Sequence, residues 1–269
     1  MTGRCEVELQ KLVKQEPRDA GYSFSTWTCA DLLHELVRKG FEAVSCETIR
    51  VHLHALGYRV RRPVLSIASP DPEYKQKAKR LKKCQKQAKN GEILLYYQDE
   101  IDLHLLPGIM RCWTLEGVQR KIPTSGVNQK QYGFGAVNYV SGQTVHRIEE
   151  RKNSVGFCAF IEQFMQIVTQ APEYHGQKIV LVVDNFIIHH SRKTREFLAK
   201  YADRLLLFML PTYSPWLNLI ERLWKHLRRK VTHNHLFKSI AELVKAVCSF
   251  LEVLNATPHL TLSVIGATE

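Results

Sequence analysis

Ile179-Val180-Leu181-Val182-Val183 runs straight into Asp184, and Ile93-Leu94-Leu95-Tyr96-Tyr97-Gln98 runs in the same way into Asp99. Short, nearly continuous apolar runs of this kind are the pattern of strands buried on both faces of a sheet. A carboxylate at the mouth of such a strand costs free energy unless a cation or a hydrogen-bonding partner meets it. A third acid, Glu221, follows the Pro211-Thr212-Tyr213-Ser214-Pro215 turn on a helix that carries Trp224, Lys225, Arg228, Arg229 and Lys230. Ligands of open α/β sheets gather outside the carboxyl ends of strands, so adjacent strands would bring Asp99 and Asp184 together. Like charges so placed raise each other's pKa unless a cation intervenes. Hard carboxylate oxygens suit Mg²⁺ or Mn²⁺. A lone strand-end acid means little; three, on strand, strand and helix, point to a divalent-metal site that acts on phosphate.

Outward from these runs the texture alternates. Short β segments are expected near 112–118, and longer strands at 131–140 and 143–149, joined by a hairpin at Ser141-Gly142. A helix over about 154–170 places Phe157, Phe160, Ile161, Phe164 and Ile167 inward. Strand 178–183, helix 191–201, strand 205–210 and helices 215–231 and 238–254 complete the body. Apolar strands linked by helices make an α/β fold built on a mixed sheet.

Upstream, residues 25–57 read as two helices. Thr28 with Asp31 forms a capping box, Leu32, Leu33, Leu36 and Val37 share a face, and Gly40 ends the helix. Ser45 caps the second helix, in which Ile49, Leu53 and Leu56 share a face before Gly57. Its outward face carries Thr48, Arg50, Val51, His52 and His54. The pair is either a helix-turn-helix whose Arg50 and His54 reach base edges or an ordinary helical hairpin. Between residues 59 and 89, eleven Lys/Arg face two acids, a net +9. Arg61-Arg62-Pro63 cannot lie inside a helix, whereas Tyr74–Lys89 reads as a helix that is positive nearly all round. Unpaired like charge destabilises a helix, which favours a phosphate-contacting role for Arg61, Arg62, Lys79, Arg80, Lys82 and Lys83 over a merely solvated linker. The division expected is a DNA-contacting head at 1–60, a basic linker helix at 61–91 and a catalytic body at 92–269.

The 38 Lys+Arg against 26 Asp+Glu give the chain a net +12, which favours a polyanionic partner, nucleic acid first among them. No window approaches the ~18 apolar residues of a membrane span, and the first twenty residues are too charged for a signal peptide. Seven scattered cysteines without a Cys-x-x-Cys pair read as reduced thiols of a cytosolic protein.

Several blocks together resemble a known family. They are Gln98-Asp99-Glu100; Asp184-Asn185 with His189 five residues after the Asp; and Leu210-Pro211-Thr212-Tyr213-Ser214-Pro215-x-Leu217-Asn218-x-Ile220-Glu221, followed by Trp224 and a basic tail. The chain resembles a DDE transposase of the mariner superfamily, in its bacterial insertion-sequence branch, over roughly residues 25–255. The resemblance implies an RNase H-like catalytic domain with a mixed five-stranded sheet flanked by helices, preceded by an all-α helix-turn-helix head and a basic linker. It implies two Mg²⁺ ions, replaceable by Mn²⁺, with Asp99, Asp184 and Glu221 as catalytic and metal-holding residues. It also implies cut-and-paste movement of an insertion element, usually into TA, on double-stranded DNA. Because two element ends must be brought together, a homodimer on DNA is expected, at the bacterial nucleoid in the cytoplasm.

On strand alternation alone Asp99 and Glu100 point to opposite faces, and only the family pattern picks Asp99. Asn185 and His189 match the family motif as supporting residues; His189 orients a carboxylate, contacts phosphate or makes a structural hydrogen bond at a helix start. Lys225 and Arg228 share the Glu221 face and hold the scissile strand or form a solvated basic face. Trp224 reads as core, and His233 and His235 as surface residues. Trp216 stands where the family usually has an acid, Leu219 where it has Pro, and Phe186 where it has a small residue. Relatives carry two helix-turn-helix units and this chain has room for one. Residues 1–20 then read as a remnant of the first, as in a truncated copy, the second part of a frameshifted frame or a short variant. Two alternatives stand beside an active transposase: a non-catalytic, truncated or domesticated DNA-binding copy, and another RNase H-fold nuclease. The intact acid triad speaks against the first, and the appended helical head against the second.

Overall fold

The first unit spans residues 1–66 and is helical over most of its described residues. The computed structural model describes residues 3–61, 63, 69–124 and 126–267, so Arg62 lies outside the described residues. Three helices, α1 (Gly3–Lys14), α2 (Cys29–Arg38) and α3 (Cys46–Ala55), close a small core of Cys5, Leu9, Leu12, Leu32, Leu36 and Ile49. Helix α1 supplies three of those six residues. The capping box forms as expected, with Thr28 accepting from Asp31 N–H, and Ser45 accepts from Thr48 N–H. Gly40 and Gly57 each sit at φ +87°, the left-handed stop that a Cβ disfavours. Fully buried Glu35 would be costly alone. Arg38 first, and Tyr22 at 2.6 Å, hold its carboxyl down at about 2.

The second unit spans residues 67–269. Its helices and strands follow in the order α4 (Tyr74–Lys89), β1 (Ile93–His104), β2 (Lys130–Asn138), β3 (Thr144–Glu149), α5 (Ser154–Val168), β4 (Lys178–Val183), α6 (Ile187–His190), α7 (Arg192–Leu198), β5 (Leu205–Met209), α8 (Ile220–Leu227), α9 (Ile240–Ala256) and α10 (Pro258–Ile265). The sheet order is β3-β2-β1-β4-β5; β2 is antiparallel to β1 and β3, while β1, β4 and β5 run parallel. This is the mixed five-stranded sheet flanked by helices that the resemblance implies.

Alternation along β1 sorts the two faces. Leu95, Tyr97, Ile101 and Leu103 pack with Leu223, Trp224 and Leu227 of α8 and with Leu243 and Val247 of α9. Leu94 and Tyr96 pack on the other face with Phe157, Phe160 and Phe164 of α5. Leu81 and Ala88 of α4 are buried in the first of these clusters. The basic helix expected as a separate linker is therefore part of this unit, held by two apolar residues among its charges.

Four expectations need correction. No strand forms over 112–118: Trp113, Leu115 and Val118 are exposed and the chain turns there, Val118 N–H bonding Leu115 O. Strand β1 does not end at Asp99; its pairing with β4 stops at Tyr97, but the antiparallel partner β2 carries it on to His104. Ile167 is exposed and Val168 takes the inward place. The helix expected over 215–231 is broken into a 3₁₀ turn, α8 and a wider π turn at Arg228–Thr232, because Asn218 is extended, at φ −89° and ψ 102°. Among the described residues no helix is long and apolar enough to cross a membrane.

Candidate active site

Asp99 faces α8 because it shares the alternation of Leu95 and Tyr97, and it lies just past the last β1–β4 pair. Asp184 follows directly on β4, the neighbour of β1. Glu221 stands in the first turn of α8, where helix N–H groups favour a carboxylate. The three acids line one cavity of about 490 Å³, walled by Asn185, Phe186 and the Leu210–Pro215 loop.

Two side chains stitch that loop and helix to the sheet. Asn185 donates to Leu210 O at 2.6 Å and to Thr212 Oγ1 at 3.4 Å. Buried Asn218 donates to Gln98 O at 2.9 Å, next to Asp99 in β1, which sets where α8 begins. Opposite Asp99 in the ladder stands Gly135, and a Cβ there would lie 2.5 Å from the Trp224 ring. The missing side chain is what lets α8 press against the sheet.

Burial first, then the nearby Glu221 and Glu100 carboxylates, push the Asp99 carboxyl well above its ordinary value. Asp184 behaves oppositely. Burial alone would raise it, but His189 Nε2, 3.2 Å from its Oδ1, and the Phe186 N–H at 2.9 Å hold it below the usual carboxylate range. Glu100 points to the α5 face, as alternation requires. Its carboxyl is raised by burial, Gln98 donates to it at 2.8 Å, and His189 Nε2 lies 3.8 Å away. His189 is buried against Phe157, so it stands between a cavity acid and an acid beneath the sheet. Lys152, to which no sequence pattern points, bonds Asp102 at 2.8 Å and has its ammonium 5.5 Å from the Phe186 ring centre.

The donor set fits a divalent cation of hard-oxygen preference. Three carboxylates share a cavity, and burial with the acidic neighbours raises the carboxyl of one of them, an unfavourable arrangement that a cation relieves. As placed, with Asp184 Oδ1 turned to His189 and Phe186, no three His, Cys, Asp or Glu side chains among the described residues converge closely enough to hold one ion.

The expected DNA contacts fall elsewhere. Arg50, His54 and Arg61 line one cavity of about 440 Å³ in the first unit, and Arg50 Nε bonds Glu47 at 2.7 Å. Lys79, Lys82 and Lys83 are exposed on α4, and Arg80 lies over the Phe208 ring. Lys225 is exposed; Arg228 lines a different cavity from the acids, with Asp102, His104 and His233. His233 is not free on the surface: its Nδ1 lies 2.6 Å from Arg228 O, and its ring packs on Gly108. Trp224 is core, as expected.

A family model described as DDE superfamily endonuclease matches residues 94–244, a span that holds all three acids. The chain is 34% identical over 254 residues to an uncharacterized 39 kDa protein of insertion element IS630 from Shigella sonnei, covering 93% of this chain and 71% of that protein. Its fold is similar to that of the Mos1 mariner paired-end complex with Mn (TM-score 0.67, 16% identity, 97% of this chain and 74% of that one). It is similar also to the Mos1 strand transfer complex (TM-score 0.64, 13% identity, 97% and 73%).

Proposed function

The chain belongs to the DDE superfamily endonucleases, in their mariner and IS630-type transposase branch, and from this we propose that it cuts the ends of its own insertion element and joins the freed 3′-hydroxyls to target DNA at TA. The observation that carries this reading is the gathering of Asp99, Asp184 and Glu221 on one cavity, in a chain of net charge +12. Those three residues would hold the metal once their side chains turn to it; when bound, two Mg²⁺ ions, or Mn²⁺ in their place, would help activate a water or 3′-hydroxyl and offset the charge on the departing oxygen.

The chain's own residues do the rest. Asn185 ties the chain just after Asp184 to the loop, His189 holds the Asp184 carboxylate, and Asn218 fixes the start of the helix that carries Glu221. In the head, residues 1–60, Arg50 and His54 contact the element end as part of a helix-turn-helix. Arg61, Arg62, Lys79, Arg80, Lys82 and Lys83 neutralise backbone phosphates, and Lys225 and Arg228 hold the scissile strand beside the catalytic domain, residues 92–269. Two copies act as a dimer on paired ends, at the nucleoid in the cytoplasm. A paired-end complex is the state named for the Mos1 neighbour, which supports this arrangement.

The test uses a labelled duplex carrying an end of the element that encodes this chain, incubated with Mg²⁺ or Mn²⁺. The expected outcome is nicking by the wild type and none by Asp184→Ala, with binding kept in both. Binding without cleavage by the wild type in either metal would replace this reading with a DNA-binding copy that has no catalysis.

A further inference from the structure

Thr212, in the wall of the acid cavity, is gripped from two sides. On one side is the strap that precedes α4: Ser69 donates its hydroxyl to Thr212 O at 2.6 Å, and Thr212 N–H donates to Asp71 Oδ2 at 3.2 Å. Both backbone groups of one residue are thus taken by a segment 141 residues or more away in sequence. On the other side, Asn185 reaches Leu210 O and the Thr212 hydroxyl. Asn185 is the residue after Asp184.

The Asp71 side chain is only 6% exposed and is itself fixed, by Lys77 Nζ at 2.8 Å and the Glu73 N–H at 2.9 Å. A second fastening lies alongside, where Trp216 Nε1 donates to the Tyr74 hydroxyl at 3.1 Å. The loop between these fastenings needs support. Pro211 and Pro215 remove two backbone donors, and Tyr213 sits at φ +52°, a conformation that persists only where its surroundings over-determine it.

We propose that Asp71 is a positioning residue of the active site. Seated on Thr212, it fixes the Leu210–Ser214 loop and, through Asn185, the backbone that carries Asp184. It touches neither DNA nor metal; it sets the spacing of groups that do. This role rests on the metal-dependent nuclease reading given above. The residue class matters: the position needs a short side chain whose oxygen accepts an N–H, which Asp and Asn provide and Ala does not.

The experiment compares full-length wild type, Asp71→Ala and Asp71→Asn by three readouts: amide exchange over residues 205–218, Mn²⁺ affinity by calorimetry, and nicking kinetics on the element-end duplex. In Asp71→Ala, exchange rises over 210–218 but not over β4, Mn²⁺ affinity falls about 10–100-fold, and kcat falls with KM for DNA unchanged. Asp71→Asn recovers most of the exchange protection and the affinity, a rescue that a general loss of stability would not give. Wild-type Mn²⁺ affinity in Asp71→Ala, or unchanged exchange over 210–218, overturns the proposal while the nuclease reading stands. A wild type that neither binds Mn²⁺ nor nicks DNA overturns the nuclease reading, and the catalytic role of Asp71 with it.

Discussion

Asp99 carries an electrostatic cost that the fold has to absorb. Its carboxyl is raised by burial and by the Glu221 and Glu100 charges, so the folded state holds its proton at a pH where the unfolded chain has released it. The sign follows. Stability associated with Asp99 is present below the unfolded carboxylate value, about 3.9, and declines as pH rises through the raised folded value. Without metal, Asp99→Asn is therefore expected to be more stable than the wild type at neutral pH. The gain should be roughly 2–4 °C in melting temperature for each kcal/mol of repulsion relieved, shrinking as pH is lowered toward 4. Mn²⁺ should raise the melting temperature of the wild type and leave the variant nearly unmoved. Equal melting temperatures in EDTA across that pH range would mean that the acids do not strain one another. That Asp99, Asp184 and Glu221 would meet on one cavity was legible from the apolar runs and the turn they follow, with the family pattern choosing Asp99 over Glu100. Asp71, Asn218 and Lys152 were not, since their roles come from partners far away in sequence, among them Thr212, Gln98 and Asp102.

At the scale of elements, the placement of α8 turns on a glycine. Gly135 lies opposite Asp99 in β2, and a methyl group there would come within 2.5 Å and 2.7 Å of two atoms of the Trp224 ring. Gly135→Ala is expected to cost about 1–3 kcal/mol, the usual range for overpacking a core. It should lower nicking more than that loss explains, because the helix it lifts carries Glu221. Trp224→Phe removes the colliding part of the ring and a buried indole N–H that has no partner among the described residues. The double variant should therefore be more stable than the sum of the two single changes allows, as measured by denaturant unfolding; strict additivity would show that α8 does not rest on Gly135. The strands flanking the site were readable from their apolar runs. Helix α1 was hidden because Cys5, Leu9 and Leu12 are interleaved with Arg4, Glu6, Glu8 and Lys11, so the charges masked a 3.6-residue periodicity. Helix α10 was hidden by Pro258, which reads as a breaker yet sits in the first turn, where proline is accommodated.

Over the whole molecule the excess charge is concentrated, and the structure changes what that concentration means. Residues 61–91 read in the sequence as a basic linker helix, but α4 is anchored in the second unit by Leu81 and Ala88, with Lys79, Lys82 and Lys83 displayed on its surface. Such a helix holds like charges at close range with few acids to offset them, which destabilises it in isolation by a few tenths of a kcal/mol per pair. The same charges gain free energy when each displaces condensed cations from DNA. The two effects predict opposite responses to one variant. Replacing Lys79, Arg80, Lys82 and Lys83 with Ala together takes the net charge from +12 to +8. Without DNA, that chain should melt at the same or a higher temperature than the wild type. On DNA, the slope of log affinity against log salt should flatten by about 0.9 for every phosphate that is no longer neutralised. Affinity should fall most at low salt, where released cations count most, and for unrelated duplexes as much as for element ends. Melting temperature and fluorescence anisotropy across a salt series check both halves. An unchanged salt slope would remove α4 from the DNA-binding surface and leave its charge as a solvated face. A flattened slope with a lowered melting temperature would instead mean that the long basic side chains contribute to packing through their aliphatic stems, as the position of Arg80 over Phe208 allows.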